Sequence, residues 1–268
     1  MKKLLLNLIL AAGCWVHGAI TIDGKLDEPE WQAAKEYGNF KSLKSSVAKS
    51  APAQTTFKII PEKDRIYIGI KCLEPKMDKL RELAARPVSS GIWENDGLEI
   101  FLTPTGHAPG EFYQFLVCYD GKSWTNYWME SGNIRPDPYF PEWYHQVYSG
   151  PDFWSAEIEI PLSAFYMTPQ QLWKTEWALN IGRKRNPVRE RTTWAPVNTN
   201  YFEPERFGKL GNFPMRRPED YVYIKSAKAD IRSLENGKPV GELSINVNLW
   251  KGGEYELHGR KFKLTNGK

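Results

Sequence analysis

The sequence predicts an all-β fold, namely an antiparallel β-sandwich of immunoglobulin-like or jelly-roll type with short helical turns. Several short segments alternate apolar and polar residues at period two, and turn residues separate them. A parallel α/β fold is disfavoured because regular crossover helices between the strands are missing. With 268 residues, the chain is long enough for one large β-domain and a smaller appendage.

The predicted strands follow one another with short, turn-rich connections. They cover residues 55–60, 66–72, 97–103, 112–119, 153–160 and 177–185. The strand at 153–160 places Trp154 and Ile158 on one face and Glu157 and Glu159 on the other, which predicts that both carboxylates face solvent. Helical structure is predicted for residues 28–34, 74–83 and 161–165.

The first residues have the layout of a secretory signal peptide. Lys2 and Lys3 precede a short apolar run, and small residues follow it. The run is shorter than the roughly 20 apolar residues of a membrane-spanning helix, so no transmembrane segment is expected. Cleavage after Gly18 predicts an exported protein, secreted or periplasmic. A stretch that resembles a bacterial lipobox and ends at Cys14 leaves a lipid anchor at the cell surface as the alternative.

The remaining chain divides into two regions. Residues 19–213 are predicted to form the sandwich, after a signal peptide at 1–18. From residue 214 to 268 we expect a C-terminal β extension or the start of a second domain, with a hairpin turn at Asn236-Gly237.

Charge and composition restrict the class of partner. The net charge is only +4 and no long basic stripe is present, so nucleic acid is not expected as a partner. Aromatic residues make up 13% of the chain, and a surplus of Trp and Tyr suits a recognition surface. Cys72 and Cys118 are interpreted as two small buried residues, with a disulfide in an oxidising compartment as the alternative. Their spacing matches no metal-binding motif.

Eight segments occur in an order that is specific to one family. They are ITIDGKLDEPEW, IYIGIKCLEP, WENDGLEIFLTP, YQFLVCYDG, WSAEIEIPLSAF, WALNIGRKR, TTWAP and EPERFGKLGN, and together they span about residues 20–213. With this order, the chain resembles carbohydrate-binding module family 9, a β-sandwich found on xylanases and other secreted bacterial proteins. The resemblance implies non-catalytic binding of an oligosaccharide or polysaccharide, as in modules associated with polysaccharide-degrading enzymes.

In that family two aromatic rings enclose the terminal sugar, while a Glu and amide side chains bind its hydroxyls. The resemblance places Trp93 at the first ring, Glu99 at the carboxylate, Tyr201 at the second ring and Asn198 at an amide. Aromatic faces bury the C–H patches of a pyranose, and polar side chains bind its hydroxyls. The alternatives are a Trp93 ring folded over the core, a Glu99 that is solvated or paired with an Arg, a turn role for Asn198 and core packing for the Phe202 beside Tyr201.

One position departs from the family pattern. Leu116 stands where the family's type example has an Arg that contacts sugar hydroxyls. Arg183 and Arg185 are candidates to replace it, because they continue one face of a strand beyond its apolar stretch, and an acidic sugar would fit them. The alternative is a solvated basic rim.

The resemblance also implies structural calcium, for which Asp23, Asp27 and Glu28 offer hard oxygen ligands. No other cofactor is expected. Three other functions are kept as alternatives. A glycoside hydrolase would need a second carboxylate opposite Glu99, a ligand-free adhesive module would share the fold, and a haem-binding relative is least favoured because no Met–His spacing supports axial ligation.

Overall fold

A computed structural model of the chain describes residues 20–43, 49–86, 92, 95–104, 109–135, 139–166, 175–213, 222–249, 253–257 and 260–264. Its first sheet has five antiparallel strands. In spatial order they are β1 (Glu36–Tyr37), β3 (Thr55–Pro61), β4 (Arg65–Leu73), β9 (Phe153–Pro161) and β8 (Tyr144–Ser149).

The second sheet has seven antiparallel strands. Six of them are, in spatial order, β2 (Lys41–Ser42), β11 (Glu190–Thr193), β10 (Trp177–Arg185), β5 (Gly97–Pro104), β6 (Phe112–Cys118) and β7 (Ser123–Trp128). The seventh, β12 (Gly208–Leu210), pairs with the first residues of β10. Helices are short: α1 (Pro29–Ala33), α2 (Met77–Ala84) and single 3-10 turns, among them Leu162–Ala164, Asn186–Val188 and Pro204–Arg206. The predicted all-β sandwich is therefore confirmed.

The main core lies between the inner faces of the two sheets, and alternation decides which residues enter it. The buried residues of one inner face are Ile66, Ile68, Ile70 and Cys72 of β4 with Trp154, Ala156, Ile158 and Ile160 of β9. The other face contributes Leu98, Ile100 and Leu102 of β5, Tyr113, Phe115 and Val117 of β6, and Trp177, Leu179 and Ile181 of β10. Burial of such side chains contributes about 25 cal/mol per Å² of apolar area. All six strands predicted from the sequence are present.

Part of the outer face of each sheet is also covered, which the sequence did not predict. On the first sheet, Trp31 of α1 packs over Gly69 of β4, where an added Cβ would come within 3.1 Å of the indole. Glu157 was predicted to be solvated, yet it is fully buried under this N-terminal segment. Its carboxylate accepts bonds from Asp23 N at 2.8 Å, Gly24 N at 2.7 Å and Trp31 Nε1 at 2.7 Å. The N-terminal segment thereby supplies donors that make the buried charge tolerable.

Cys72 and Cys118 are buried and form no disulfide, as the favoured interpretation predicted. Burial raises the pKa of each thiol to about 12. The disulfide between Cys72 and Cys118 is contradicted.

Two hairpins follow residue 221. The long one pairs β13 (Val222–Glu235) with β14 (Lys238–Leu249), and the short one pairs β15 (Gly253–Leu257) with β16 (Arg260–Leu264). Asn236 and Gly237 have φ values of 51° and 75°, the left-handed conformation that tight hairpin turns need, so the predicted turn is confirmed. The boundary at residues 213 and 214 stays a prediction. Within the described ranges, no helix is long and apolar enough to cross a membrane.

Candidate functional site

Glu99 lies on the outer face of the second sheet. It pairs with Gly182 of β10 on one side and with Leu116 of β6 on the other, and Leu116 pairs in turn with Trp124 of β7. Residues directly opposite each other on neighbouring strands share a face. Glu99, Leu116 and Trp124 therefore form one row across three strands, which we call the Glu99 row.

Two consecutive hydrogen bonds connect Trp128, through Gln114, to Glu99. Trp128 Nε1 donates to Gln114 Oε1 at 2.7 Å, and Gln114 Nε2 donates to Glu99 Oε2 at 2.7 Å. The indole nitrogen can only donate, so the orientation of the Gln114 amide is fixed. No described group donates to the second oxygen of Glu99, Oε1. The carboxylate is thus held by one oxygen and has acceptor capacity at the other.

Burial raises the pKa of Glu99, although the bond from Gln114 and the charges of Arg191 and Lys184 act in the opposite direction. An acceptor that is partly removed from water binds a hydroxyl more strongly than a fully solvated one, because it loses less hydration when the ligand arrives.

Aromatic side chains lie on the same outer face of the sheet as this carboxylate. Phe202 lies against Trp128 with ring centroids 5.1 Å apart, and against Phe112 at 5.5 Å. Trp124, Trp128 and Phe202 are each only partly buried. A partly exposed aromatic layer beside a carboxylate combines apolar surface with a hydrogen-bond acceptor, which is what a pyranose ring requires.

Tyr201 is beside Glu99 but does not present a free ring face. It is 5% exposed and packs on Gly182, where an added Cβ would lie 2.6 Å from the ring. Its hydroxyl bonds with the backbone oxygens of Thr192 at 3.1 Å and Arg183 at 3.2 Å. The expectation of Tyr201 as a stacking ring is corrected: in this structure it packs in the outer layer, and Phe202 is the more exposed ring of the pair.

Asn198 lies in an exposed loop that Glu203 organises. The carboxylate of Glu203 accepts from Asn198 N at 2.9 Å and from Thr199 N at 2.8 Å. Burial acts against these bonds, yet they lower the pKa of Glu203. With its oxygen turned towards Arg206, the Asn198 amide accepts from that guanidinium at 2.9 Å. The turn role that was kept as an alternative is therefore present, and sugar contact by Asn198 stays a prediction.

Arg183 and Arg185 do not reach the site. Arg183 pairs with Leu98, one residue before Glu99, so its side chain lies on the inner face. The two side chains are 0% and 4% exposed. Glu74 binds both, at 3.2 Å from Arg183 Nη2 and 2.9 Å from Arg185 Nε. Neither the predicted sugar contact nor the solvated rim is correct for these two residues. Both guanidinium groups are buried, and Glu74 supplies the buried counterion that such groups require.

Trp93 lies outside the described residues, and its contact with sugar stays a prediction. The residues next to it are held at the end of the second sheet. Asn95 donates to Asp120 Oδ2 at 3.0 Å, and Asp96 Oδ2 accepts from Asn186 N at 2.9 Å. These bonds fix the chain just before β5, three residues from Glu99.

Asp96→Asn is expected to flatten the pH dependence of stability. Burial raises the pKa of Asp96 to about 6, although the charge of Arg183 and the bond from Asn186 oppose it. An unfolded Asp titrates near pH 3.9, so the folded state holds the proton longer, and the contribution of Asp96 to wild-type stability falls as pH rises from about 4 to 6. The contribution is on the order of 3 kcal/mol. Urea unfolding across this window measures it, and equal slopes for both proteins would contradict the assignment.

Gln114 and Trp128 are the site residues that the sequence interpretation missed. Gln114 interrupts the apolar segment FYQFLVCY, and such an interruption in a buried strand indicates a polar partner. Trp128 gave no comparable signal, because β7 was not predicted as a strand.

The proposed calcium ligands are only partly suitable. Asp23 pairs with Lys25 at 2.7 Å, and Glu28 Oε1 accepts from Thr21 N at 3.1 Å. Glu28 Oε2 is buried and no described group bonds it, so it is a fitting oxygen donor. Asp27 is exposed. No three acidic, His or Cys side chains of the described part of the chain form a metal-binding group. Structural calcium stays a prediction, which thermal unfolding during a calcium titration would test.

Solved structures with the same fold include carbohydrate-binding proteins. A family 9 module from Caldicellulosiruptor kristjanssonii in complex with cellotriose is 17% identical over 78% of this chain and 96% of its own, with a TM-score of 0.51. The glucose complex of a family 9 module from the same organism is 17% identical over 72% of this chain and 91% of its own, with a TM-score of 0.50. A candidate carbohydrate-binding protein from Bacteroides uniformis is 16% identical over 68% of this chain and 88% of its own, with a TM-score of 0.51. At these identities, the likeness shows a shared fold.

Sequence comparison gives the family itself. No curated protein matches the chain significantly. Residues 22–211, however, match the profile of the family described as carbohydrate family 9 binding domain-like. This segment spans most of the chain and includes both sheets from Glu36 to Leu210, with Glu99 and its partners. The protein therefore belongs to the carbohydrate family 9 binding domain-like family.

Proposed function

We propose that this chain binds a glycan end or a single sugar ring on the outer face of the second sheet, without transforming it. The observation that carries this proposal is the Glu99 carboxylate, which is fixed by Gln114 and keeps one oxygen for a sugar hydroxyl. Trp124, Trp128 and Phe202 would cover the C–H face of the ring. Family membership supports the same ligand class.

The positions of the other carboxylates support a role in binding and not in hydrolysis. Glycoside hydrolysis normally uses two carboxyl groups about 5–10 Å apart across the scissile bond. Asp96 is 2% exposed and its carboxylate is held by the backbone of Asn186. Glu157 and Glu159 belong to β9 of the other sheet. None of these three is placed to act with Glu99 on one sugar.

Glu99→Gln is expected to weaken sugar binding about tenfold or more. The substitution keeps the shape but replaces a charged acceptor by a neutral amide, and a hydrogen bond to a charged group contributes about 1.5–3 kcal/mol. Glucose and cellotriose, which the Caldicellulosiruptor module binds, are the first ligands to test by calorimetry.

Glu205→Gln is the matched control, since Glu205 is exposed on the Pro204–Arg206 turn. Unchanged affinity in Glu99→Gln, with both proteins folded, would remove Glu99 from the site. If the wild type binds no sugar on a broad glycan array, the ligand-free adhesive module is the better interpretation.

We also propose that the protein is exported, either cleaved after Gly18 or lipid-anchored through Cys14. Both residues lie outside the described part of the chain, and the proposal rests on the layout of the first residues. Mass spectrometry of the mature protein distinguishes a chain that begins at Ala19 from one that begins at an acylated Cys14. An association with polysaccharide-degrading enzymes is likewise proposed from the family alone.

A further inference from the structure

A cavity lies at the edge of the first sheet that β8 forms, on the other sheet from Glu99. Among the described strands, β8 pairs with β9 alone. The cavity, which we call the β8 cavity, has a volume of about 580 Å³. Small-ligand sites typically measure roughly 300–1,000 Å³. The described lining includes Ile20, Ile22, Trp143, Tyr144, Gln146 and Glu159.

The polar part of this lining belongs to the outer face of the first sheet. Tyr144 pairs with Glu159, and Gln146 pairs with Glu157, which accepts bonds from the N-terminal segment on that face. Residues directly opposite each other on neighbouring strands share a face. Tyr144, Gln146 and Glu159 therefore lie together, and the N-terminal segment adds an apolar wall beside them.

Two aromatic rings of the lining are held in position and still partly open to solvent. Tyr144 is 48% exposed, and its hydroxyl donates to the Glu142 carboxylate. Trp143 is half-buried, stacks on His145 with ring centroids 4.7 Å apart and lies edge-on to Phe115 at 5.2 Å. Rings that are already ordered lose little conformational freedom when a ligand covers them.

The polar groups of the lining keep hydrogen-bonding capacity. No described group bonds the exposed Gln146 amide, which offers both a donor and an acceptor. Glu159 Oε1 accepts from Arg65 Nη1 at 2.5 Å, whereas no described group donates to Glu159 Oε2. The charge of Glu159 is therefore paired, but one of its oxygens can still accept. Aromatic surface beside such groups suits a neutral polyhydroxy ligand better than an ionic one.

We propose that the β8 cavity is a second glycan-binding site, which takes a neutral oligosaccharide with one sugar ring against Tyr144 and its hydroxyls at Gln146 and Glu159. This site goes beyond the proposed function and shares no residue with the Glu99 site. The two sites lie at different sheets, and stacked sheets pack about 10 Å apart with the core between them. One short oligosaccharide therefore does not fill both sites, and the chain would hold two glycan chains at once.

Binding of Glu99→Gln to an array of neutral oligosaccharides of glucose, xylose, mannose and galactose tests this proposal. Residual binding is expected, because the substitution leaves the β8 cavity intact. Adding Tyr144→Ala should weaken the residual binding about tenfold or more, since the ring that covers the sugar is lost. Tyr148→Ala is the matched control and should preserve it. Tyr148 is 37% exposed on the same face of β8 but is not part of the described lining.

Calorimetry with the tightest-binding oligosaccharide of the array gives a second readout. Wild type should bind two molecules per chain, while Glu99→Gln and Tyr144→Ala should each bind one with the original affinity. Urea unfolding checks that every variant is folded.

The remaining outcomes separate the two sites. If Glu99→Gln loses all the glycans that wild type binds, the second site is overturned and the Glu99 site stands. Equal effects of Tyr144→Ala and Tyr148→Ala also overturn the second site. If Glu99→Gln binds as wild type does and Tyr144→Ala abolishes binding, the β8 cavity stands and the Glu99 site fails. If wild type binds no glycan, both fail, and a protein strand that pairs along β8 is the better occupant of this edge.

Discussion

Replacing Glu74 with Gln is expected to lower the free energy of unfolding by about 3–5 kcal/mol. The carboxylate is completely buried and forms ion pairs with Arg183 and Arg185. It also accepts from Lys76 N at 3.1 Å, which connects β4 to the start of α2. Although burial opposes ionisation, these partners lower the pKa of Glu74. Gln keeps the volume but leaves two buried guanidinium groups without their shared counterion.

Urea unfolding at neutral pH measures this change, and Glu82→Gln is the matched control. Glu82 belongs to the same helix but is exposed, where an ion pair contributes about 1 kcal/mol or less. The network could also tolerate the loss by admitting water. If Glu74→Gln lowers the free energy of unfolding by less than about 1 kcal/mol, the loss is tolerated in this way. That result would contradict a structural role for the ion pairs of Glu74 with Arg183 and Arg185.

Glu157→Ala is expected to destabilise the protein by about 3 kcal/mol or more. The substitution leaves three donors without their acceptor, namely the N–H groups of Asp23 and Gly24 and the Trp31 indole. Each buried donor without a partner costs about 1–3 kcal/mol. Burial raises the pKa of Glu157, and these bonds oppose the shift, so part of the loss is offset by removal of a costly buried charge.

The neighbouring carboxylate on the same strand provides the control for Glu157. Glu159 pairs with the partly exposed Arg65 and holds no backbone donors of the N-terminal segment, so Glu159→Ala should cost less than Glu157→Ala. Amide hydrogen exchange gives a second readout, because residues 20–34 should lose protection in Glu157→Ala and keep it in Glu159→Ala. Unchanged protection of this segment in Glu157→Ala would mean that Trp31 packing alone holds it.

The sequence predicted the sandwich because alternation at period two is a local property. Each of the six predicted strands contributes its inward-facing apolar residues to the core. The strands β7 and β8 escaped prediction because Trp128, Tyr144 and Tyr148 lie on surfaces, where burial does not impose a regular pattern. Alternation also cannot tell a solvated outer face from one that a distant segment covers, which is why the burial of Glu157 was missed.

The candidate site was predicted less completely, for a related reason. Glu99 was placed at the site by the resemblance to the family. Arg183 and Arg185 were misplaced, since the charge at the end of β10 suggested solvent, whereas Glu74, more than 100 residues earlier in the chain, supplies their counterion. Such a pairing depends on the register of strands that are distant in sequence. The position of Lys184 and Arg191 in the row next to Glu99 is likewise visible only once that register is known.

The bonds from Trp128 through Gln114 to Glu99 run in a single direction. Indole N–H can only donate, so the amide oxygen of Gln114 must face Trp128 and its nitrogen must face the carboxylate. The Glu99 carboxylate at the end of these bonds consequently offers a ligand a lone pair and not a proton. A sugar oxygen that carries an acyl or methyl group has no proton to give and meets Glu99 as one acceptor facing another. Through this polarity, the site would discriminate between bare glycans and those whose hydroxyls have been esterified or methylated.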